Sequence, residues 1–337
     1  MLEITKKELI GYKFIDLFSG IGGFHYALKS FGAECVFASE WDVNASKTYF
    51  DNFNLYPHGD ITKIKESDIP KHNILCGGFP CQSFSISGKQ KGFDDIRGNL
   101  FFDIIRIAEY HLPEVIFLEN VKNLINHNNG HTFNIVIRSL EKLQYEVYYK
   151  VFNTSNFGLP QNRERIYIVA FRKDLQSSKF KFPIPPNNPV CLQDILDDNS
   201  EDLKVINRDD INIYKHISDE TNLFDYKKII NKPIQIGKVN KGGQGERIYH
   251  PYGHAITLSA HGGGVGSKTG LYLINGQVRK LTPRECARLQ GFPENFIFGN
   301  SKSQSYKQFG NSVSINVLQF ILFEIVKIMR GITNGKS

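Results

Sequence analysis

The stretch GGFPCQSFSISGKQKG, residues 77–92, carries one thiol, Cys81, directly after a proline and before a glycine-bearing basic loop. A cysteine there is either filler at a turn or a nucleophile on display; buried structural cysteines sit more often inside apolar runs, as Cys35 and Cys76 do. In EVIFLEN a carboxylate, Glu119, stands at the end of an apolar run, facing a ligand crevice or serving as an ion-pair partner. In QNRERIYIVAF, Arg163 and Arg165 alternate at the start of a strand pattern, which puts both on one face. Arginines so placed orient a carboxylate, hold a polar base edge, or form a surface ion-pair ladder.

A second constellation lies near the N-terminus. DLFSGIGGF, residues 16–24, reads as strand, glycine turn, then helix, with Phe18, Gly20, Gly22 and Gly23 at the turn. Glycines let backbone amides approach a ligand, and the helix N-terminus favours negative groups. The dinucleotide fingerprint is incomplete, because position 25 is His25. Glu40 follows about twenty residues on, where an acid suits a ribose diol. Trp41 can stack on a purine, and Asp60 can accept from an exocyclic amine. Together they describe a nucleoside cofactor with no diphosphate to hold, S-adenosylmethionine rather than NAD; a tight turn beside a solvated acid is the plain alternative.

Alternating elements position these groups. KFIDLF, ECVFASE, NILCGG and EVIFLEN read as strands, and helices are predicted to about Phe31, over about 42–53 and over about 99–111. YEVYYKVF and RIYIVAF add two strands. The alternation predicts a doubly wound, mostly parallel α/β sheet with ligands at the carboxyl ends of its strands. Four prolines in KFPIPPNNPV, residues 181–190, read as a domain junction. Residues 191–278 read as a smaller, irregular strand-and-loop domain, and 1–190 with 279–337 as the larger one. In LTPRECARLQGFP, Thr282 is a helix cap, Pro283 the first helical residue, Glu285 the capping-box partner and Gly291 the stop. The last helix is predicted over about 314–330.

The 337 residues suffice for one large or two unequal domains, and a net charge of +7 favours a polyanionic partner such as nucleic acid. Five cysteines without a CxxC pair argue against a disulfide scaffold or a zinc site, so no metal is expected and the chain reads as reduced and intracellular. MLEITKKELIGYKF lacks the apolar core of a signal peptide, and no membrane partner is expected.

In this order the motifs resemble the bacterial cytosine-C5 DNA methyltransferases, over nearly the whole chain. DLFSGIGGF is similar to their first motif, GGFPCQSFS to the nucleophile loop, ENV to the catalytic glutamate strand and QNRERIYIVAF to the arginine motif. RKLTPRECARLQGFP and QFGNSVSINV are similar to the two motifs that close the fold, and the latter brings Asn311 to the cofactor set. FSISGKQKGF, KGGQGERIY and AITLSA with its following glycines look like the Hha-type branch, whose members methylate the inner cytosine of GCGC. His261, Val265, Gly266 and the span of about 191–235 depart from that branch, which leaves flanking or altered bases open.

The resemblance implies a fold of the S-adenosylmethionine-dependent methyltransferase type, with 191–278 as target-recognition domain. It implies that Cys81 adds to cytosine C6, Glu119 acts at N3, Arg165 holds the base O2 and Glu119 in register, and Arg163 supports it. Pro80 would shape the loop and Asn120 aid the glutamate. The base must leave the stack, with Ser87 or Gln244 filling the vacated space and Gln244 pairing with the orphan guanine. Lys89, Lys91, Arg97, Lys241, Arg247 and Thr257 become candidates for phosphate or base contacts, Arg247 as a bidentate guanine reader. The expected setting is the bacterial cytoplasm, near the nucleoid: a monomer on double-stranded DNA, in a system with a restriction endonuclease that need not touch it. Competing readings are an RNA cytosine-C5 methyltransferase, a catalytically silent DNA-binding protein and, more distantly, a dehydrogenase.

Overall fold

A computed structural model describes residues 8–80, 100–197, 203–214, 232–299 and 301–331. The chain forms two compact units, one from Leu2–Phe152, Glu164–Ile184 and Leu318–Ser337, the other from Asn153–Arg163 and Pro185–Val317. The Ile184/Pro185 boundary falls inside the proline-rich stretch.

The first unit is built on β1 (Lys13–Leu17), α1 (Gly23–Ser30), β2 (Glu34–Ser39), α2 (Val43–Phe53), β3 (Ile74–Gly78), α3 (Leu100–His111), β4 (Val115–Val121), α4 (His131–Lys142), β5 (Tyr145–Asn153) and β6 (Glu164–Arg172). Its six strands run in the order β2-β1-β3-β4-β6-β5. The pairs β1–β2, β1–β3 and β3–β4 are parallel, whereas β4–β6 is antiparallel. The exception has a local cause: only the short 3-10 turn Thr154–Phe157, and no α-helix, stands between β5 and β6, too little for a crossover. The central strands are covered on both faces, so they read as continuous apolar runs.

On one face, Phe101, Ile104 and Ile107 of α3 and Val136 and Leu140 of α4 pack with Leu75, Ile116, Leu118 and Ile168. Each fully buried side chain of this size stabilises by roughly 1.5–3 kcal/mol. On the other face, Phe24 of α1 meets Phe117 edge-on, with ring centroids 5.2 Å apart. Helix α4 was not read from the sequence: it starts at Gly130, with φ 81° and no side-chain cap, so its entry carries no local signature.

The second unit holds β7 (Asn212–Ile213), β8 (Gln235–Lys238), β9 (Arg247–Tyr249), β10 (Leu271–Ile274), β11 (Gln277–Arg279), α5 (Pro283–Gln290) and α6 (Lys302–Asn311). The sheet order is β11-β10-β9-β8-β7, around Ile236, Val239, Ile248, Leu271 and Val278. Helix α5 starts as its sequence predicts: Glu285 N–H donates to Thr282 Oγ1 at 3.2 Å, Thr282 N–H donates to Glu285 Oε2 at 2.7 Å, and Gly291 ends it at φ 82°.

This unit reaches beyond 191–278, and a buried ion pair explains why. Arg279 of β11 donates through Nη2 and Nη1 to Glu285 of α5, at 2.7 and 2.9 Å, while Asp197 N–H donates to the same carboxylate at 3.0 Å. The pair ties strand, helix and the start of the segment together. The last helix, α7 (Ile315–Met329), crosses the Val317/Leu318 boundary. Within the first unit its Leu318, Ile321, Leu322 and Ile325 are buried, and Gln319 Nε2 donates to Ser30 Oγ at 3.0 Å. Among the described residues Lys302–Met329 is long and apolar enough to cross a membrane, but 61% of its apolar window is buried, as a core helix would be.

Candidate active site

Within the first unit, the parallel strands deliver their carboxyl ends to one edge of the sheet. Phe18 follows β1, Glu40 follows β2, Phe79 and Pro80 follow β3, and Glu119 and Asn120 lie at the carboxyl end of β4. The register sets Leu17 beside Gly77 and Gly78 beside Glu119. Cys81, Ser87 and Lys89 lie outside the described residues, as do Lys91 and Arg97; Pro80, directly before Cys81, is exposed.

At the first exit the backbone turns sharply. Phe18 has φ 54°, uncommon for a residue with a side chain, and its ring packs against the core. Gly20, at φ 54°, has open space where a Cβ would stand. Its N–H donates to Glu40 Oε2 at 2.8 Å, and Asp42 N–H donates to Glu40 Oε1 at 2.8 Å. Burial raises the Glu40 pKa above the usual carboxylate value, against the pull of these amides. Each carboxylate oxygen keeps a second lone pair, so Glu40 can still accept from a diol.

Trp41 is 79% exposed, leaving its ring face open for stacking. His58 N–H donates to Ala38 O at 2.8 Å, which brings the segment holding Asp60 back to the end of β2. Asp60 caps the short turn Ile61–Lys63: its Oδ1 accepts from Thr62 N–H at 3.1 Å and Thr62 Oγ1 at 2.8 Å. Its Oδ2 stands 3.9 Å from Lys63 Nζ. An open glycine turn, a carboxylate for a diol, an exposed indole and a second acceptor make a cradle that fits an adenosyl group.

Sequence reasoning passed over Asp16. It is fully buried beneath the glycine turn, with Cys76 Sγ 3.8 Å from Oδ1 and no partner for Oδ2 among the described residues. Burial pushes its pKa well above the usual range, partly offset by the His25 backbone amide. Its signal was a charged residue inside an otherwise apolar strand.

At β4, Arg165 Nε stands 3.1 Å from Glu119 Oε1, both side chains largely buried. Asn120 Nδ2 donates to the Phe79 carbonyl at 2.9 Å, so it anchors the chain two residues before Cys81. Arg163 does not share a strand face with Arg165. It precedes β6, and in the second unit its guanidinium donates to the carbonyls of Leu258 at 3.2 Å, Gly310 at 3.3 Å and Ser312 at 2.7 Å. The alternation inferred from sequence fails because the strand starts one residue later.

The second unit gathers the recognition candidates. A cleft of about 400 Å³ is lined by Gln244, Thr257, His261, Lys268 and several glycines. Thr257 Oγ1 donates to the Asn162 carbonyl at 2.5 Å, fixing its hydroxyl. Arg247 begins β9 and is exposed, with Nε 3.4 Å from the Gly242 carbonyl. Asn311 ends α6 with its side chain exposed.

Residues 12–327 match the family described as C-5 cytosine-specific DNA methylase. The chain is 52% identical to the type II methyltransferase M.HhaI of Haemophilus parahaemolyticus, over 96% of this chain and 97% of that one. It is 44% identical to the type II methyltransferase M.SsoII of Shigella sonnei, over 94% and 81% of the two chains. Among solved structures, a Spodoptera frugiperda DNMT2 variant superposes with a TM-score of 0.71 at 20% identity, over 93% of this chain and 99% of that one. The S. pombe Dnmt2 methyltransferase does so with 0.66 at 21%, over 94% and 98%. The chain belongs to the C-5 cytosine-specific DNA methylase family and is a DNA (cytosine-5) methyltransferase.

Proposed function

We propose that this enzyme binds S-adenosylmethionine, takes a cytosine out of duplex DNA and methylates its C5 through a transient bond from Cys81, with the inner cytosine of GCGC as target. The observation that carries the reading is the Glu119–Arg165 pair at the exit of β4, beside the exit of β3 whose chain leads into Cys81. The likeness of the KGGQGERIY and AITLSA stretches to the GCGC-modifying branch supports the target.

Cytosine is a poor nucleophile at C5. Addition of the Cys81 thiolate to C6 breaks the C5–C6 double bond and leaves an enamine-like ring whose C5 can attack a methyl group. The cofactor, when bound, supplies that methyl on a sulfonium. Phe18, Gly20, Gly22, Gly23, Glu40, Trp41, Asp60 and Asn311 would hold it. Glu119 contacts N3 and stabilises the charge developing on the ring as Cys81 adds. Arg165 holds the base O2 and the Glu119 carboxylate together. C5 then loses its proton to a base, the C5–C6 double bond re-forms and Cys81 leaves as thiolate. A free thiol titrates near roughly 8.5, so the loop must favour the thiolate. Arg163 acts by supporting the backbone around it.

Residues 191–278 carry target recognition and the remainder carries catalysis. Gln244 and Ser87 are positioned by sequence to fill the space of the extruded base, Arg247 to read a guanine, and Lys89 and Thr257 to contact the DNA. The enzyme works as a monomer, as the modifying partner of a restriction endonuclease in a bacterial cytoplasm.

The test is a GCGC duplex with 5-fluorocytosine at the inner position, since fluorine cannot leave as the proton does. With S-adenosylmethionine the protein should become covalently linked to it. Cys81→Ser should give no adduct while still binding the duplex. Absence of any adduct with the wild-type enzyme would overturn the mechanism, and an adduct on transfer RNA instead would move the substrate to RNA.

A further inference from the structure

The turn that carries Asp60 is small. A three-residue helical turn, Ile61–Lys63, has too few internal hydrogen bonds to hold its own geometry. Asp60 secures its amino end, through Thr62. The carbonyl end is secured from outside, by Arg106 of α3. Nη2 donates to the Ile61 carbonyl at 2.6 Å and Nη1 to the Ile64 carbonyl at 3.0 Å. The same guanidinium is itself held: Nε donates to Asp103 Oδ1 at 2.8 Å and Nη1 to Glu66 Oε1 at 2.7 Å. The two acceptor carbonyls belong to the first residue of the turn and the residue that closes it. A lysine has one donor point and cannot reach both while keeping Asp103 and Glu66.

We infer that Arg106 is a positioning residue that sets the Asp60 carboxylate for selection of the cofactor's adenine ring. This rests on the reading of Asp60 as the acceptor for an exocyclic amine. Arg106 fixes where Ile61 starts, and Asp60 is the residue before it. A carboxylate held there accepts from the 6-amino group of adenine and opposes the 6-carbonyl of hypoxanthine, which offers a second acceptor. Selection between the two rings depends on a displacement smaller than a bond length, whereas general retention of the cofactor also draws on Glu40 and Trp41.

The test compares binding of S-adenosylhomocysteine with S-inosylhomocysteine, read from the fluorescence of Trp41, the single tryptophan of the chain. Wild type should prefer the adenosyl form by roughly 10- to 100-fold, as one hydrogen bond to a charged group would give. Arg106→Lys should bring the preference to within about threefold, raise KM for S-adenosylmethionine in step and leave kcat within about twofold. A purely structural arginine would lower Tm and leave the preference intact, which would overturn the inference. Arg106→Ala should match the lysine variant, and if it does not fold, Arg106→Lys alone decides. Asp60→Asn separates the two levels. If it keeps the wild-type preference, the reading of Asp60 is wrong and the inference falls with it. If it abolishes the preference while Arg106→Lys retains it, the reading stands and only the inference falls.

Discussion

Arg165 reaches Glu119 along a diagonal of the sheet. Its Nε lies 3.1 Å from Oε1, yet the register pairs Arg165 with Val121, and Glu119 with Tyr167. Alternate residues of a strand share a face, so the two charges stand on one surface of the β4–β6 ladder, two residues out of register. A diagonal of this kind is within reach of a long side chain. The contact fixes the Glu119 carboxylate at the end of β4, where the chain of the neighbouring β3 also leaves the sheet.

Glu119→Gln should lower the single-turnover rate of methyl transfer by roughly 10²- to 10⁴-fold, the range for a lost proton-transfer group. Arg165→Lys keeps the charge but loses the fork, and should cost about 10- to 100-fold in the same assay, the weight of one charge-assisted bond. Cofactor affinity should stay near wild type in both. An Arg165→Lys enzyme with an unchanged rate would detach the pair from the chemistry.

Gly22 is required twice over. Its φ is 86°, and a Cβ there would land inside the Phe53 ring. Gly22→Ala should destabilise the protein by about 2–4 kcal/mol, combining a left-handed backbone penalty with overpacking. Urea denaturation followed by circular dichroism measures this. Gly22→Ala with Phe53→Leu should recover the steric part only, since the backbone penalty remains.

His25 links stability to pH. Burial, helped by Lys29, lowers its pKa to about 3, and its ring stacks on Phe53 with centroids 3.8 Å apart. Unfolded, the same imidazole takes a proton near roughly 6.5. Between these values the unfolded chain binds more protons, so the contribution of His25 weakens as pH falls through that window and is fully present above it. Wild type should lose stability relative to His25→Phe by up to about 1.4 kcal/mol per pH unit below about pH 6. Urea midpoints of both proteins from pH 7 to pH 5 provide the check, and parallel curves would show that His25 is protonated in the fold.

Much of the local structure was legible in the residues themselves. Asp42 accepts from Asn44 and Ala45 N–H at the start of α2, and Thr282 with Glu285 opens α5, because a cap is decided within one turn of chain. The apolar runs of β1 to β4 announced strands buried on both faces. Helix α6, KSQSYKQFGN, was not anticipated, since its polar composition and terminal glycine carry little helical period. Arg163 was read on one strand face with Arg165, but it lies one residue before β6 and its buried guanidinium donates to three carbonyls.

By itself the sequence determined which residue types stand at each strand exit, the order of the motifs, and the ends of α1, α2 and α5, all of which depend on neighbours a few residues away. The tertiary structure decided which of these groups touch. The diagonal from Arg165 to Glu119 exists because β6 inserts beside β4, the clamp of Arg106 on the Asp60 turn spans more than forty residues of chain, and the burial of Asp16 follows from strands on both sides of β1. Hydrogen bonds and ion pairs act over about 3 Å in space, and only the packing of the sheet converts distances along the chain into distances of that size.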